Sequence, residues 1–293
     1  MSTVTTPLLV GVDGSEPSLR AVDWAADEAA LRTVPLRVVY ASLWERYEGR
    51  SLTPDLAKPA EEVRADDILD VAVRRAHRRH PGLDVVAEAI AEEPEYALVH
   101  EGRDAGLLVV GTRGRSGIVN LLLGSVSLTV AAHAPCPVVV LRGSHDNQTA
   151  APVHGRVVVG VGDDPGDGTV LRFAYEEARR RGAVLEAVRV WRCPAHETAG
   201  HPLLAGEAVV VHRERAAEVL EAALADAPPD VKVHPRTVEG HARRVLVDVS
   251  HRADLLVVGA ERREGRHGLQ LGRVAHTALH HAACPVAVVP HPA

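Results

Sequence analysis

The sequence predicts two consecutive α/β domains, each built around a parallel sheet, and three observations carry that expectation. The first is duplication. "GLLVVGTRG" at 106–114 is answered by "DLLVVGAER" at 254–262 and "HAPCPVVVL" at 133–141 by "HAACPVAVV" at 281–289, both 148 residues later, and "LLVGVDGSEPS" at 8–18 returns as "VVVGVGDDPGD" at 157–167, 149 residues later. The second is alternation: short Val/Leu/Ile runs take turns with amphipathic stretches, the pattern of βαβ units. The third is composition. Apolar residues make up 46% of the 293 residues but aromatics only 3%, so Val, Ala and Leu must fill the cores. Polar, aperiodic "GSHDNQTAAPVHG" reads as the linker, and the domains are taken as 1–147 and 153–293.

In the first copy the strands are expected at Leu8 to Val12, Leu36 to Ala41, Leu83 to Ile90, Leu107 to Gly111 and Pro137 to Leu141, each apolar enough to be covered on both faces. Ser15 is placed to cap the first helix, with Pro17 tolerated in its first turn and Val22, Ala25, Ala26 and Ala29 turned to the core. A second helix is expected over Pro59 to His80 with Val63, Ile68, Leu69, Val71, Ala72 and Ala76 inward. Its end, "RRAHRRHPG", reads as a solvated cationic terminus that complements the helix dipole before Pro81 and Gly82 stop it. The second copy repeats the order, with strands near 156–161, 184–190, 231–237, 254–259 and 285–289.

Several function classes are excluded. A formal net charge of −6 leaves no global field for a polyanion, so nucleic acid is not expected as a partner. No stretch approaches the ~20 apolar residues of a membrane span, and "MSTVTTPLLVGVDGS" has neither a basic start nor a long apolar core, so a cytoplasmic protein is expected. Cys136, Cys193 and Cys284 form no CxxC, and no disulfide is expected. Cys136 and Cys284 occupy matching places before a proline and read as small core residues, with a redox pair as the alternative. Among 17 histidines, His276 and His280 lie one helical turn apart, without a Cys or carboxylate to complete a ligand set, so no metal ligands are assigned.

The candidate site lies in "GTRGRSGIVNLLLGS", 111–125, delivered by the strand "LLVVG" to the carboxyl edge of the sheet, where ligands of open parallel sheets sit. Gly111 ends the strand, Gly114 lets backbone amides approach a ligand, and Gly124 with Ser125 begins a helix whose free amides, positive dipole end and hydroxyl suit a phosphate. A simple glycine turn is the alternative. Asp13, at the end of the first strand, faces the same crevice and suits a ribose hydroxyl or a metal-bound water. The Walker signature GxxxxGK[ST] is absent and "GVGDDPGDG" lacks a completed GxGxxG, so at most a weak ATPase and no dinucleotide site are expected.

G-x2-G-x9-G-S after "LLVVG", followed by "HAPCPVVVL" and preceded by "GVDGS", resembles the universal stress protein family over the whole chain, as two tandem copies. The resemblance implies Rossmann-like domains, similar to adenine nucleotide alpha hydrolases, with parallel strands in order 3-2-1-4-5 and helices on both faces. It also implies ATP, with Mg2+, in a regulatory stress-response role; a slow ATP hydrolase, a nucleotide-independent scaffold, and a site for AMP or a cyclic nucleotide are the rivals. By the same resemblance Asp13 matches the acidic residue of the first strand and Ala41 the place where backbone meets adenine. Val110, Gly111, Arg113 and Gly114 match the fourth strand's end and loop; Gly124, Ser125, Val126 and Ser127 match the turn around the phosphates. Arg113 and Arg115 add charge there or are merely solvated. In the second copy Gly162 replaces Asp13, Arg262 replaces Gly114 and Arg273 replaces Ser125, so that site is expected to be weakened or empty. Pairing of the two copies as a pseudo-dimer, a homodimer and a protein partner are further implications.

Overall fold

The computed structural model describes residues 6–43, 60–112, 123–141, 153–162, 168–194, 205–262 and 271–292. The chain divides into two compact units, Met1–Asn147 and Gln148–Ala293. Among the described residues there are ten strands and eight α-helices, and no helix is long and apolar enough to cross a membrane.

The first unit runs β1 (Leu8–Val12), α1 (Glu16–Arg32), β2 (Leu36–Ala41), α2 (Ala60–Arg79), β3 (Val85–Ile90), α3 (Pro94–Glu101), β4 (Leu107–Val110), α4 (Ser125–His133) and β5 (Val138–Val140). Its strands lie in the order β3-β2-β1-β4-β5, all parallel, with Leu8 opposite Leu36 on one side and Leu107 on the other. That is the expected α/β architecture. Helices α1 and α2 pack together as one layer, and α3 and α4 as the other. Strands β1, β4 and β5 are buried throughout, which explains their unbroken Val/Leu runs.

Strand β3 departs from the expectation of two covered faces: four of its six residues are exposed, Val86 among them at 49%. It lies at the end of the strand order, where one neighbour is missing, and four consecutive residues, hence side chains on both faces, reach water. Helix α1 begins as predicted, with the Ser15 side chain accepting from the Ser18 amide, and buries Val22, Ala25, Ala26 and Ala29. Helix α2 corrects two positions. Ala65, Ile68, Leu69, Ala72 and Ala76 face inward, whereas Val63 and Val71 are exposed. At 100° per residue the inward stripe runs 65-68-69-72-76, and positions 63 and 71 fall outside it.

The cationic end of α2 is also more than a solvated terminus. Arg75 donates to Asp23 at 2.7 and 2.8 Å and to Glu16 at 3.2 Å, and Arg79 and His80 both engage Asp27. These arginines clamp α2 onto α1. Asp23 and Glu16 push the Arg75 guanidinium further above its already high value.

The second unit runs β6 (Arg156–Val161), α5 (Thr169–Arg181), β7 (Val184–Trp191), α6 (Ala205–Ala223), β8 (Val233–Glu239), α7 (Ala242–Ser250), β9 (Leu255–Arg262), α8 (Arg273–His281) and β10 (Val286–Pro292). Its parallel order is β8-β7-β6-β9-β10, the same topology. Duplication extends to details. Glu28, 1% exposed, pairs with Arg32, and at matching places Glu177, fully buried, pairs with Arg181 and Arg180. Glycine at position 11 makes room for Leu98, whose Cδ1 would stand 2.7 Å from an added Cβ, and Gly160 does the same for Leu246.

Candidate functional site

The parallel order sends the loops after β1 and β4 to the same end of the first sheet, so residues remote in sequence converge there. They enclose a cavity of about 320 Å³. Asp13, Ala41, Val110, Gly111, Gly124, Ser125, Val126 and Ser127 all line it. Arg113, Gly114 and Arg115 lie outside the described residues. Gly11, Val12, Ser18, Val39, Pro94 and Leu98 also line the cavity and were not picked out from sequence.

The loop after β1 is built by short hydrogen bonds. Asp13 Oδ1 accepts from the Ser15 amide at 3.0 Å and from the Ser15 hydroxyl at 2.6 Å, and the Ser18 hydroxyl donates to the Ser15 carbonyl at 2.9 Å. The carboxylate thus shapes its own turn, helped by Gly14 at φ 80°. Gly111 has a reason beyond ending a strand. A Cβ there would lie 2.8 Å from the Pro17 carbonyl oxygen and 3.1 Å from the Ser18 nitrogen, so β4 and the start of α1 come together as bare backbone.

Across the cavity, Gly124 is the N-cap of α4 with φ −64° and ψ 152°, and as glycine it has no side chain to cap the helix. Any residue tolerates that φ. Gly124 lines the cavity, and its backbone conformation does not require glycine. Its amide donates to the Thr112 carbonyl at 2.8 Å, which ties the start of α4 to the residues just after β4. Ser127 is buried and its hydroxyl donates to the Gly111 carbonyl at 2.6 Å, so it pins α4 to the end of β4. The Ser125 hydroxyl is exposed and donates to Glu95 Oε1 at 3.2 Å. The result is a cleft with an apolar wall of Val39, Ala41, Leu98 and Val126 at one end of which a helix presents its first amides.

At the matching place in the second unit, β9 does not leave the sheet after its fourth residue as β4 does. It continues through Gly259 to Arg262, paired with β10 as far as Pro292. Gly259 accommodates His291, whose ring would lie 3.0 Å from an added Cβ. Val190 stands at the place of Ala41, Ala275 at that of Ser127 and Arg273 at that of Ser125, and the buried Arg189 donates to the Val161 carbonyl at 3.2 Å. Gly162, at the place of Asp13, is exposed.

The two buried thiols match their expected core role. Burial pushes both Cys136 and Cys284 up to about 12. The His276 and His280 rings lie 4.5 Å apart, and among the described residues no three His, Cys, Asp or Glu side chains converge as a metal site.

Comparison with known proteins places this architecture. The model of the universal stress protein family matches residues 5–142 and again 154–290. Universal stress protein Rv2005c of Mycobacterium tuberculosis is 33% identical over 298 residues, covering 96% of both chains. A universal stress protein from Archaeoglobus fulgidus shares the fold over 98% of this chain and 99% of its own, with a TM-score of 0.67 at 18% identity. A universal stress protein solved in complex with cAMP aligns with 47% of this chain and 98% of its own at 31% identity, with a TM-score of 0.37. The chain belongs to the universal stress protein family, as a member with two family domains in tandem.

Proposed function

We propose that the first unit binds ATP with Mg2+ in the cavity between β1, β4 and the start of α4, and that this binding is the regulatory input of a cytoplasmic stress-response protein. One observation carries the reading: the glycines and serines of residues 111–125 that are described, Asp13 and Ala41 all line one cavity within the usual size range of small-molecule sites. Its chemistry suits an adenine nucleotide. The wall of Val39, Ala41 and Leu98 takes an apolar ring face, while the amides at the start of α4 and the Ser125 hydroxyl face a phosphate. Asp13 lines the same cavity, its Oδ1 accepting from the Ser15 amide and hydroxyl. With no three acidic or His side chains converging among the described residues, Mg2+ would come held by the phosphates, with at most one or two carboxylates beside it.

In this reading the second unit is a degenerate partner without a nucleotide. Its β9 runs on as strand where the first unit turns out of the sheet. Pairing of the two units within the chain, a homodimer, and a protein partner that senses the nucleotide complete the proposal. The test is a thermal shift with ATP and Mg2+ on the full chain and on Gly124→Trp. A ligand bound at 100 times its Kd stabilises the folded state by ~2.7 kcal/mol. The wild type should show the shift and the variant should lose it; an absent shift in the wild type refutes the reading.

A further inference from the structure

The Glu95–Ser125 hydrogen bond raises a conflict within the proposed site. Ser125 has one hydroxyl hydrogen, and it goes to the Glu95 carboxylate at 3.2 Å. A phosphate at the start of α4 seeks the same donor. Glu95 sits in the first turn of α3, after Pro94, where a carboxylate is favoured by the helix dipole. Pro94 and Leu98, one position before it and three after, both line the cavity, which places Glu95 beside its rim, where the carboxylate meets Ser125. The second copy supplies an independent observation. At the places of Glu95 and Ser125 it carries Arg243 and Arg273, both exposed. The acid and its hydroxyl partner occur together in the copy with the intact turn and are replaced together, with charge reversed, in the other.

Resting on the nucleotide reading above, we propose that Glu95 is a specificity-determining residue of the first site: its carboxylate holds the place of a phosphate oxygen on Ser125 and makes binding of a polyphosphate depend on an accompanying divalent cation. A phosphate oxygen, like the carboxylate, only accepts, and two anions meeting at one hydroxyl repel each other. A divalent cation between them reverses the sign, since carboxylates and phosphates are both good ligands for a hard cation. The uncharged base and sugar are insensitive to Glu95.

The test is a titration of the full chain with ATP, once with EDTA and once with Mg2+, in the wild type and in Glu95→Gln and Glu95→Ala, with adenosine as the phosphate-free control. Removing the charge should cut the factor by which Mg2+ improves ATP affinity by about tenfold, mainly through tighter binding in EDTA. Adenosine should bind all three proteins alike. If the Mg2+ factor is the same in all three, or adenosine affinity changes as much as that of ATP, the Glu95 proposal is overturned while the nucleotide site stands. If the wild type binds ATP under neither condition, both proposals fall.

Discussion

Replacing Gly111 with alanine tests the claim that β4 and the start of α1 meet as bare backbone to shape the cavity. The added Cβ would lie 2.8 Å from the Pro17 carbonyl oxygen, 2.9 Å from its carbon and 3.1 Å from the Ser18 nitrogen. Those atoms are backbone at a capped helix start, so relief requires moving α1 or β4 by several tenths of an ångström. Overpacking of this kind costs about 2 kcal/mol, which in a unit of this size lowers Tm by roughly 4–8 °C. Two controls bracket the effect. Gly11→Ala meets Leu98 Cδ1 at 2.7 Å, the tip of a rotatable side chain, and should cost less; Gly82→Ala meets nothing within 4 Å and should change little. Differential scanning calorimetry of the three variants reads the order directly. A Gly111→Ala protein that melts with the wild type would refute the close-approach account.

Three further predictions follow from the packing. Glu28→Ala removes the carboxylate that Arg32 meets in an almost fully buried pair and should destabilise by about 3 kcal/mol, measured by urea unfolding. In the second unit, burial alone would raise the Glu186 carboxyl, but hydrogen bonds from Arg236 and Arg156 outweigh it and hold the group below its usual range. A depressed carboxylate stabilises the fold above its unfolded-state pKa and loses that contribution as pH falls through the folded value. The stability of the wild type should therefore drop more steeply on acidification below the ordinary carboxylate range than that of Glu186→Gln; parallel pH profiles would contradict this. Finally, with Cys136 and Cys284 pushed up to about 12 and Cys193 only half-buried, a thiol reagent at pH 8 should modify Cys193 in the native protein and reach the other two only after unfolding.

Strand and helix placement was legible because unbroken Val/Leu runs and a capped, alanine-rich helix leave few alternatives: Leu8–Val12 and Leu36–Ala41 have the bounds read from sequence. Val63 and Val71 misled because each is apolar, and hydropathy alone placed them inward; at 100° per residue they point roughly 160° and 120° away from the centre of the buried stripe. The exposure of β3 had a signal in Glu88, the one charge in "VVAEAI", which the apolar residues around it outweigh in the sequence. At the site, spacing drew attention to Gly111, Gly124 and Ser125, but periodicity carries no record of tertiary partners. Pro17 against Gly111, Leu98 over Gly11, and Glu95 on Ser125 bring together residues from about 30 to more than 90 positions apart. A signal for one of them did exist. Gly11 with Leu98 recurs as Gly160 with Leu246, so matching glycine–leucine pairs between the copies mark a packing contact. The same comparison finds the buried Glu28 and Glu177, each with an arginine four residues on.

The number of ATP molecules bound per chain tests the central claim most directly. Isothermal titration of ATP with Mg2+ into the full chain should give one site per chain, lost in Gly124→Trp and retained in Gly272→Trp, which alters the matching residue of the second unit. Two equivalent sites, or a single site that survives Gly124→Trp, would contradict a nucleotide held only by the first unit.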